Sequence, residues 1–305
     1  MSGNKPLVSV FIVTYNSQDY IVEALDSVKS QTYQNIELIV SDDCSSDNTV
    51  SIVKDWMKMN ESRFVRVEIV ETPVNTGIPA NYNRAVQACN GEWLKMMDGD
   101  DVLLDNCVED NIRFVSEKPS ARIVFSDMYM FKGVNNKILG KRFNKKRKTF
   151  FEKDVTDQTI WLLKGNLLPS QTCFISASLL KNNPYNENYR LLEDYPMWVK
   201  LSCNGEKYYY FDKCTAMYRL ADSVSSNNKV LFPVNYLDVC RRFYLDEIYP
   251  LIVKYNAQEA YDYNRKYFMW YDACRNLLGN KRNVFTLPLY YLLGFVIFKL
   301  LRFKL

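Results

Sequence analysis

Residues 7–43 read LVSVFIVTYNSQDYIVEALDSVKSQTYQNIELIVSDD. Leu7–Val13 is nearly all apolar, the mark of a strand buried on both faces. Tyr20, Ile21, Ala24, Leu25 and Val28 then recur at helical spacing, and Ile36–Val40 forms a second apolar run. Strand, helix and strand in this order make a crossover unit, which implies parallel pairing. The alternation continues outward. Asp47 can cap a helix starting at Asn48, and Val65–Val70, Glu92–Met97 and Arg122–Ser126 read as further strands. Ala80–Ala88 and Asn106–Val115 read as helices between them. The expected fold class is α/β, a mainly parallel, Rossmann-like sheet flanked by helices. Past Asp127 the regularity ends. A short helix (Asp154–Leu163), a strand (Thr172–Ser176), a helix from Pro196 and two strands (Lys207–Phe211 and Thr215–Arg219) follow. From Lys229 to Leu278 the pattern is mainly helical, a C-terminal helical extension. The expected boundaries are 1–225 for the sheet domain, 226–283 for the extension and 284–305 for an apolar tail.

The composition removes whole classes of chemistry. The 305 residues include no histidine, so imidazole proton shuttles, Ser-His-Asp triads and His-ligated zinc are excluded. A general base must come from Asp or Glu, with Lys or Tyr the poorer choices. The eight cysteines come no closer than eleven residues apart, so there is no CxxC and no thiolate metal cluster is expected. The N-terminus lacks a basic-then-apolar signal. The expectation is a cytoplasmic protein with reduced cysteines. A net charge of +4 is too small to argue for nucleic acid, and no nucleic-acid partner is expected.

In an open parallel sheet, ligands bind beyond the carboxyl ends of the strands. Three polar clusters fall there: Thr14-Tyr15-Asn16, Asp42-Asp43 and Asp98-Gly99-Asp100-Asp101. Asp42 or Asp43 can accept from a nucleobase N–H, and Asp98 from ribose hydroxyls. Asp100, with or without Asp101, can hold magnesium or manganese, hard cations suited to carboxylate and diphosphate oxygens. Gly99 is expected to permit a tight turn between the acids. An ordinary turn is the alternative for DGDD. Away from this rim, Glu193-Asp194 is the strongest carboxylate pair. Pro196 suits a first helical turn, which puts Asp194 at a helix start, where an acid is also an ordinary cap.

The stretch 8–49, the stretch 75–101 (NTGIPANYNRAVQACNGEWLKMMDGDD) and 191–201 (LLEDYPMWVKL) resemble, in order, three blocks of the family 2 glycosyltransferases, which have the GT-A fold. The resemblance covers about residues 7–225. It implies transfer of a sugar from a nucleotide-sugar donor with inversion at the anomeric carbon, and it favours UDP. It implies that Thr14, Tyr15 and Asp42 contact the nucleoside with Asp43 beside them, and that Asn83 and Arg84 lie near the nucleotide. Asp98 and Asp100 match the DxD acids, with Asp101 following, and Asp194 matches the general base. Glu193 is expected to position neighbours or bind an acceptor hydroxyl. Trp198 is either a sugar-stacking platform or core. Tyr218-Arg219 matches a pair on the acceptor and diphosphate side. Many members continue that pair to a His, where this chain has Ala221, so either Asp222 or water supplies the third metal ligand or metal affinity is weaker.

Two further segments suggest a surface. Lys137–Lys148 holds seven Lys or Arg and no acid. It reads as a solvated hairpin, or as a patch attracting anionic head groups or a lipid-linked diphosphate acceptor. Val284–Phe298 is an uncharged run of fifteen residues flanked by Lys and Arg, short of the ~20 that a spanning helix needs. It reads as an interfacial segment, with docking on the catalytic domain or a dimer contact the alternative. The expected partners are thus a nucleotide-sugar, a glycan or lipid-linked sugar acceptor, and the inner face of a membrane, in surface polysaccharide synthesis. A sugar nucleotidyltransferase is disfavoured because TYNSQDY carries no glycine. A non-catalytic sugar- or nucleotide-binding protein is the remaining rival.

Overall fold

The computed structural model describes residues 5–132, 137–220, 230–301 and 303. In chain order the strands are β1 (Val8–Thr14), β2 (Ile36–Asp42), β3 (Arg66–Glu71), β4 (Trp93–Asp98), β5 (Val102–Leu103), β6 (Ile123–Lys132), β7 (Lys137–Lys141), β8 (Cys173–Ser176) and β9 (Tyr208–Arg219). The helices are α1 (Ile21–Lys29), α2 (Thr49–Asn60), α3 (Ile78–Ala88), α4 (Cys107–Glu117), α5 (Lys145–Lys148), α6 (Val155–Leu162), α7 (Ala177–Asn182), α8 (Asp194–Cys203), α9 (Val234–Phe243), α10 (Tyr249–Lys254), α11 (Gln258–Leu278) and α12 (Thr286–Leu300). The chain divides into two compact units, residues 1–158 with 167–219, and residues 159–166 with 220–305.

The first unit is built on one sheet in the order β3-β2-β1-β4-β8-β6-β9-β5, with β7 on β6. Strands β3, β2, β1 and β4 are parallel. Every residue of β1 and β2 is buried, as an apolar run covered on both faces demands. Val8, Val10 and Ile12 meet Ile21, Ala24, Leu25 and Val28 of α1 in one core, each large apolar side chain contributing about 1.5–3 kcal/mol. The register places Thr14 beside Asp42 and Val13 beside Asp98. The carboxyl ends of three strands therefore share one rim.

Beyond β4 the sheet departs from simple alternation. β8 lies antiparallel between β4 and β6, so β6 does not extend the parallel run directly. The two strands read from 207–219 are one continuous strand, β9. Asp212 and Lys213 look like a break in sequence, but they are exposed mid-strand and paired with Lys148 (2.6 Å) and Asp110 (2.8 Å). The strand bulges there, between the pairs Phe125–Tyr210 and Asp127–Cys214, and its pairing with β6 on both sides carries it through.

The second unit packs Phe232, Leu237, Tyr271 and Cys274 with Trp270 and Tyr290. Helix α12 approaches α11 closely at Gly294, where a Cβ would lie 3.0 Å from the Trp270 ring. Leu289, Tyr291, Leu292, Phe295 and Leu300 remain exposed on α12. Among the described residues no helix is long and apolar enough to cross a membrane. Arg302 and Lys304, expected to flank this run, lie outside the described residues.

Candidate active site

Thr14, Asp42 and Asp98 end β1, β2 and β4, so sheet pairing alone brings them together. Asp42 is buried and braces the loop after β2: its carboxylate accepts from the Ser45 backbone N–H (2.8 Å) and hydroxyl (2.5 Å). The Ser45 hydroxyl oxygen in turn accepts from the Asn16 N–H (2.8 Å), linking the loops after β1 and β2. Tyr15 is half-exposed beside them. The Thr14 hydroxyl is buried with no hydrogen-bond partner.

The DGDD turn folds back on this rim. The Gly99 N–H donates to Val13 O (3.0 Å), and a Cβ at residue 99 would fall 2.9 Å from Thr14 Oγ1. The glycine is required for close approach to Thr14, where the sequence suggested turn geometry. Asp98, Asp100 and Asp101 each offer a carboxylate oxygen, all within 4.8 Å of one another. Burial raises all three carboxyls above their ordinary range. Repulsion from Asp98 adds to this at Asp100, which reaches about 6, and repulsion from Asp100 and Asp98 adds to it at Asp101. Asp101 Oδ2 is buried without a partner. Three hard, crowded carboxylates with an orphaned oxygen suit a divalent cation, which would relieve both repulsion and desolvation.

Glu193 and Asp194 stand at the start of α8, Glu193 within electrostatic reach of Asp98. Burial, then Asp194 and Asp98, push the Glu193 carboxyl well above the ordinary carboxylate range. Carboxylates separated by almost a hundred residues of chain thus share one field.

The sequence profile described as Glycosyl transferase family 2 matches residues 9–174, more than half of the chain. The chain belongs to glycosyl transferase family 2. As a family 2 glycosyltransferase it is an enzyme that uses a nucleotide sugar. It is 29% identical over 224 residues to the UDP-Glc:alpha-D-GlcNAc-diphosphoundecaprenol beta-1,3-glucosyltransferase WfgD of Escherichia coli, covering 73% of this chain and 81% of that one. Two solved structures share its fold. The Pyrobaculum calidifontis mannosyltransferase PcManGT in complex with GDP-Man and Mn2+ is 15% identical, with a TM-score of 0.56 over 97% of this chain and 81% of that one. Residues 1–349 of S. aureus TarS in complex with UDP-GlcNAc are 22% identical, with a TM-score of 0.59 over 78% of this chain and 66% of that one.

Several candidate residues of this glycosyltransferase are engaged by other parts of the chain. Trp198 is fully buried, its indole N–H donating to Leu168 O (2.9 Å) and its ring edge-on to Phe125. It is core and cannot stack on a sugar as placed. The Arg84 guanidinium is bound to Asp43 (2.7 Å), Thr76 (2.7 Å) and Asn81 (3.2 Å). Asp43 also accepts from the Thr76 and Gly77 N–H groups. Burial would raise the Asp43 carboxyl, but these donors hold it below its ordinary value. Arg84 and Asp43 therefore fix the 76–77 turn. Asn83 clasps residues 185–187 through Tyr185 and Glu187. Arg219 is also engaged. Its N–H donates to Asp101 (2.9 Å) and its Nε–H to Asp100 O (2.8 Å), its guanidinium pairs with Glu23, and it lies over the rings of Tyr20 and Phe131. It locks the acidic turn to β9. Ala221 and Asp222 lie outside the described residues.

Three residues that support the acidic turn escaped the sequence reading. Tyr82 donates to one oxygen of Asp98 (2.8 Å) and Gln171 to the other (2.7 Å). Lys95, fully buried in β4, donates to the backbone carbonyls of Gln171 and Cys173 and so holds the segment that presents Gln171. Tyr82 follows the apolar period of α3 and reads as core. Gln171 and Lys95 carry no local signal.

Proposed function

We propose that this enzyme is an inverting, divalent-cation-dependent hexosyltransferase. It moves a sugar from a UDP-sugar to a hydroxyl of a lipid-linked acceptor, at the inner surface of the membrane, in surface polysaccharide synthesis. The observation that carries the reading is the convergence of the Asp98–Asp100–Asp101 triad with Glu193-Asp194 beside the rim of Thr14 and Asp42. Asp194 removes the proton from the acceptor hydroxyl. That oxygen bonds to the anomeric carbon on the face opposite the nucleotide, and the bond from that carbon to the diphosphate oxygen breaks, inverting the centre. Asp98, Asp100 and Asp101 would hold a magnesium or manganese ion, whose charge would balance that of the departing nucleoside diphosphate. Manganese in the PcManGT complex, UDP-GlcNAc in the TarS complex and the diphosphoundecaprenol acceptor in the name of WfgD support the same donor and acceptor classes. The exposed apolar residues of α12 support a surface position. The helix spans roughly 22 Å at 1.5 Å per residue, too short for a ~30 Å hydrocarbon core, so it lies in the interface.

Calorimetry with UDP, GDP and TDP, each with and without manganese, tests the proposal. Metal-dependent binding of UDP is expected, and its absence for every nucleotide removes the catalytic reading. The variant Asp194→Asn should lower the transfer rate by about 10²–10⁴-fold while nucleotide affinity stays nearly intact. A fully active Asn variant would place the base elsewhere.

A further inference from the structure

Arg142 has no role in the chemistry above, yet it is half-buried and its Nε is fully enclosed. Its backbone N–H donates to Met128 O (3.0 Å), continuing the β6–β7 register in which Lys141 faces Tyr129 and Gly140 faces Met130. On the other side of β6, Tyr218 faces Met130 and Ala216 faces Met128. Arg142 and Tyr218 thus flank β6 two residues apart, and the period-two alternation of strands sends both side chains to one face. Arg142 Nε is buried and has no hydrogen-bond partner. Arg147 Nη1 donates to the Arg142 carbonyl (3.3 Å), which brings a second guanidinium alongside. Within the basic stretch Lys148 is neutralised by Asp212. Among the described residues neither Arg142 nor Arg147 has a carboxylate within ion-pair distance.

A guanidinium stays charged at any working pH, and burying one without a counter-ion is costly. Burial and Arg147 both pull Arg142 below its ordinary range, while Tyr218 and Asp194 oppose them, so Arg142 stands in the field of the base. Tyr218, on the same face, interacts with the acidic triad as well as with Arg142. The geometry points to a phosphate-binding subsite formed by Arg142, Arg147 and the Tyr218 hydroxyl, which takes the diphosphate of the acceptor while its sugar hydroxyl meets Asp194. This subsite rests on the glycosyltransferase reading above and extends it to the acceptor. In a sugar-diphosphate lipid the charge lies one ring away from the hydroxyls, so a cationic pair near the base registers the acceptor along its length. An arginine fork suits a diphosphate better than a flexible lysine would.

The test uses farnesyl diphosphate as a short acceptor-like probe, titrated into the full chain with UDP and manganese saturating. Arg142→Met should weaken the probe by about tenfold or more, the loss of one charge-assisted contact. Arg142→Lys should recover part of that affinity, and UDP–manganese binding should stay within about twofold for both variants. Unchanged probe affinity in the Met variant overturns the subsite. So does an equal loss of UDP affinity, which would assign Arg142 to the donor diphosphate. A loss confined to phosphatidylglycerol vesicles would make it a general head-group contact and also overturn the proposal. If the wild-type chain binds no UDP with manganese, the catalytic reading fails separately, and the probe titrated alone still reads the subsite.

Discussion

At Gly99 the site tolerates no side chain, because the Cβ of an alanine would press on Thr14 Oγ1 at 2.9 Å and Thr14 Cβ at 3.1 Å. Overpacking of this kind costs about 1–3 kcal/mol, and here the turn must move with the triad on it. Gly99→Ala should therefore weaken manganese-dependent UDP binding by about tenfold or more, read by calorimetry, while the far-ultraviolet dichroism stays that of the wild type. Lys95 is a second sensitive point. Its buried ammonium holds the carbonyls of Gln171 and Cys173, and burial pulls its pKa below the ordinary lysine range. Lys95→Met removes charged hydrogen bonds worth about 1.5–3 kcal/mol and frees the segment that presents Gln171 to Asp98. The expected result is a lower Tm together with weaker UDP–manganese binding. A lower Tm with unchanged affinity would make Lys95 purely structural. At this scale the clustering of the acids on one rim was legible, because each ends a strand whose apolar run marks its neighbour in the sheet. Their donors were not. Tyr82 is sixteen residues from Asp98 and Gln171 seventy-three, and no local pattern links them.

Strands β1 and β2 are pinned at their amino-terminal ends by a buried carboxylate. Glu37 accepts from the Ser9 hydroxyl (2.5 Å), the Gly91 N–H (3.0 Å) and Arg66 (3.0 Å), and from the Asn90 N–H. Burial would raise its carboxyl, but these donors outweigh it and hold the group below its ordinary 4.5. A depressed carboxyl stabilises the fold above its unfolded value, and that contribution is lost as pH falls through the folded one. Thermal unfolding across an acid series should show wild-type Tm dropping as pH goes below about 4.5, and Glu37→Gln should be less stable at neutral pH but flatter in acid. Parallel acid curves for the two proteins would assign the loss to other groups. The first four strands and three helices were legible as elements, since buried parallel strands are apolar throughout. Strand β9 was split in two because Asp212-Lys213 mimics a turn, and β5 was missed because two residues carry no periodicity.

Helix α12 gives the second unit an apolar surface that its own core leaves uncovered, and Leu292 and Phe295 are 56% and 60% exposed there. Leu292→Ser with Phe295→Ser should lower partitioning onto anionic vesicles by about tenfold or more, with Tm nearly unchanged, in a sedimentation assay. Unchanged partitioning would move the membrane contact to the basic stretch 137–148. Across the whole molecule, the sequence by itself determined the α/β class, the absence of imidazole chemistry and the acids at the strand ends. Each of these follows from residue type and short-range period, which are properties of the chain before it folds. Only the tertiary structure decided that Trp198 is core, that Arg84 and Arg219 are tied to protein acids, and that the Arg142 Nε is enclosed with no partner among the described residues. Pairing of this kind depends on which side chains the sheet register and loop packing bring within ångströms, and residues far apart in the chain carry no record of that distance.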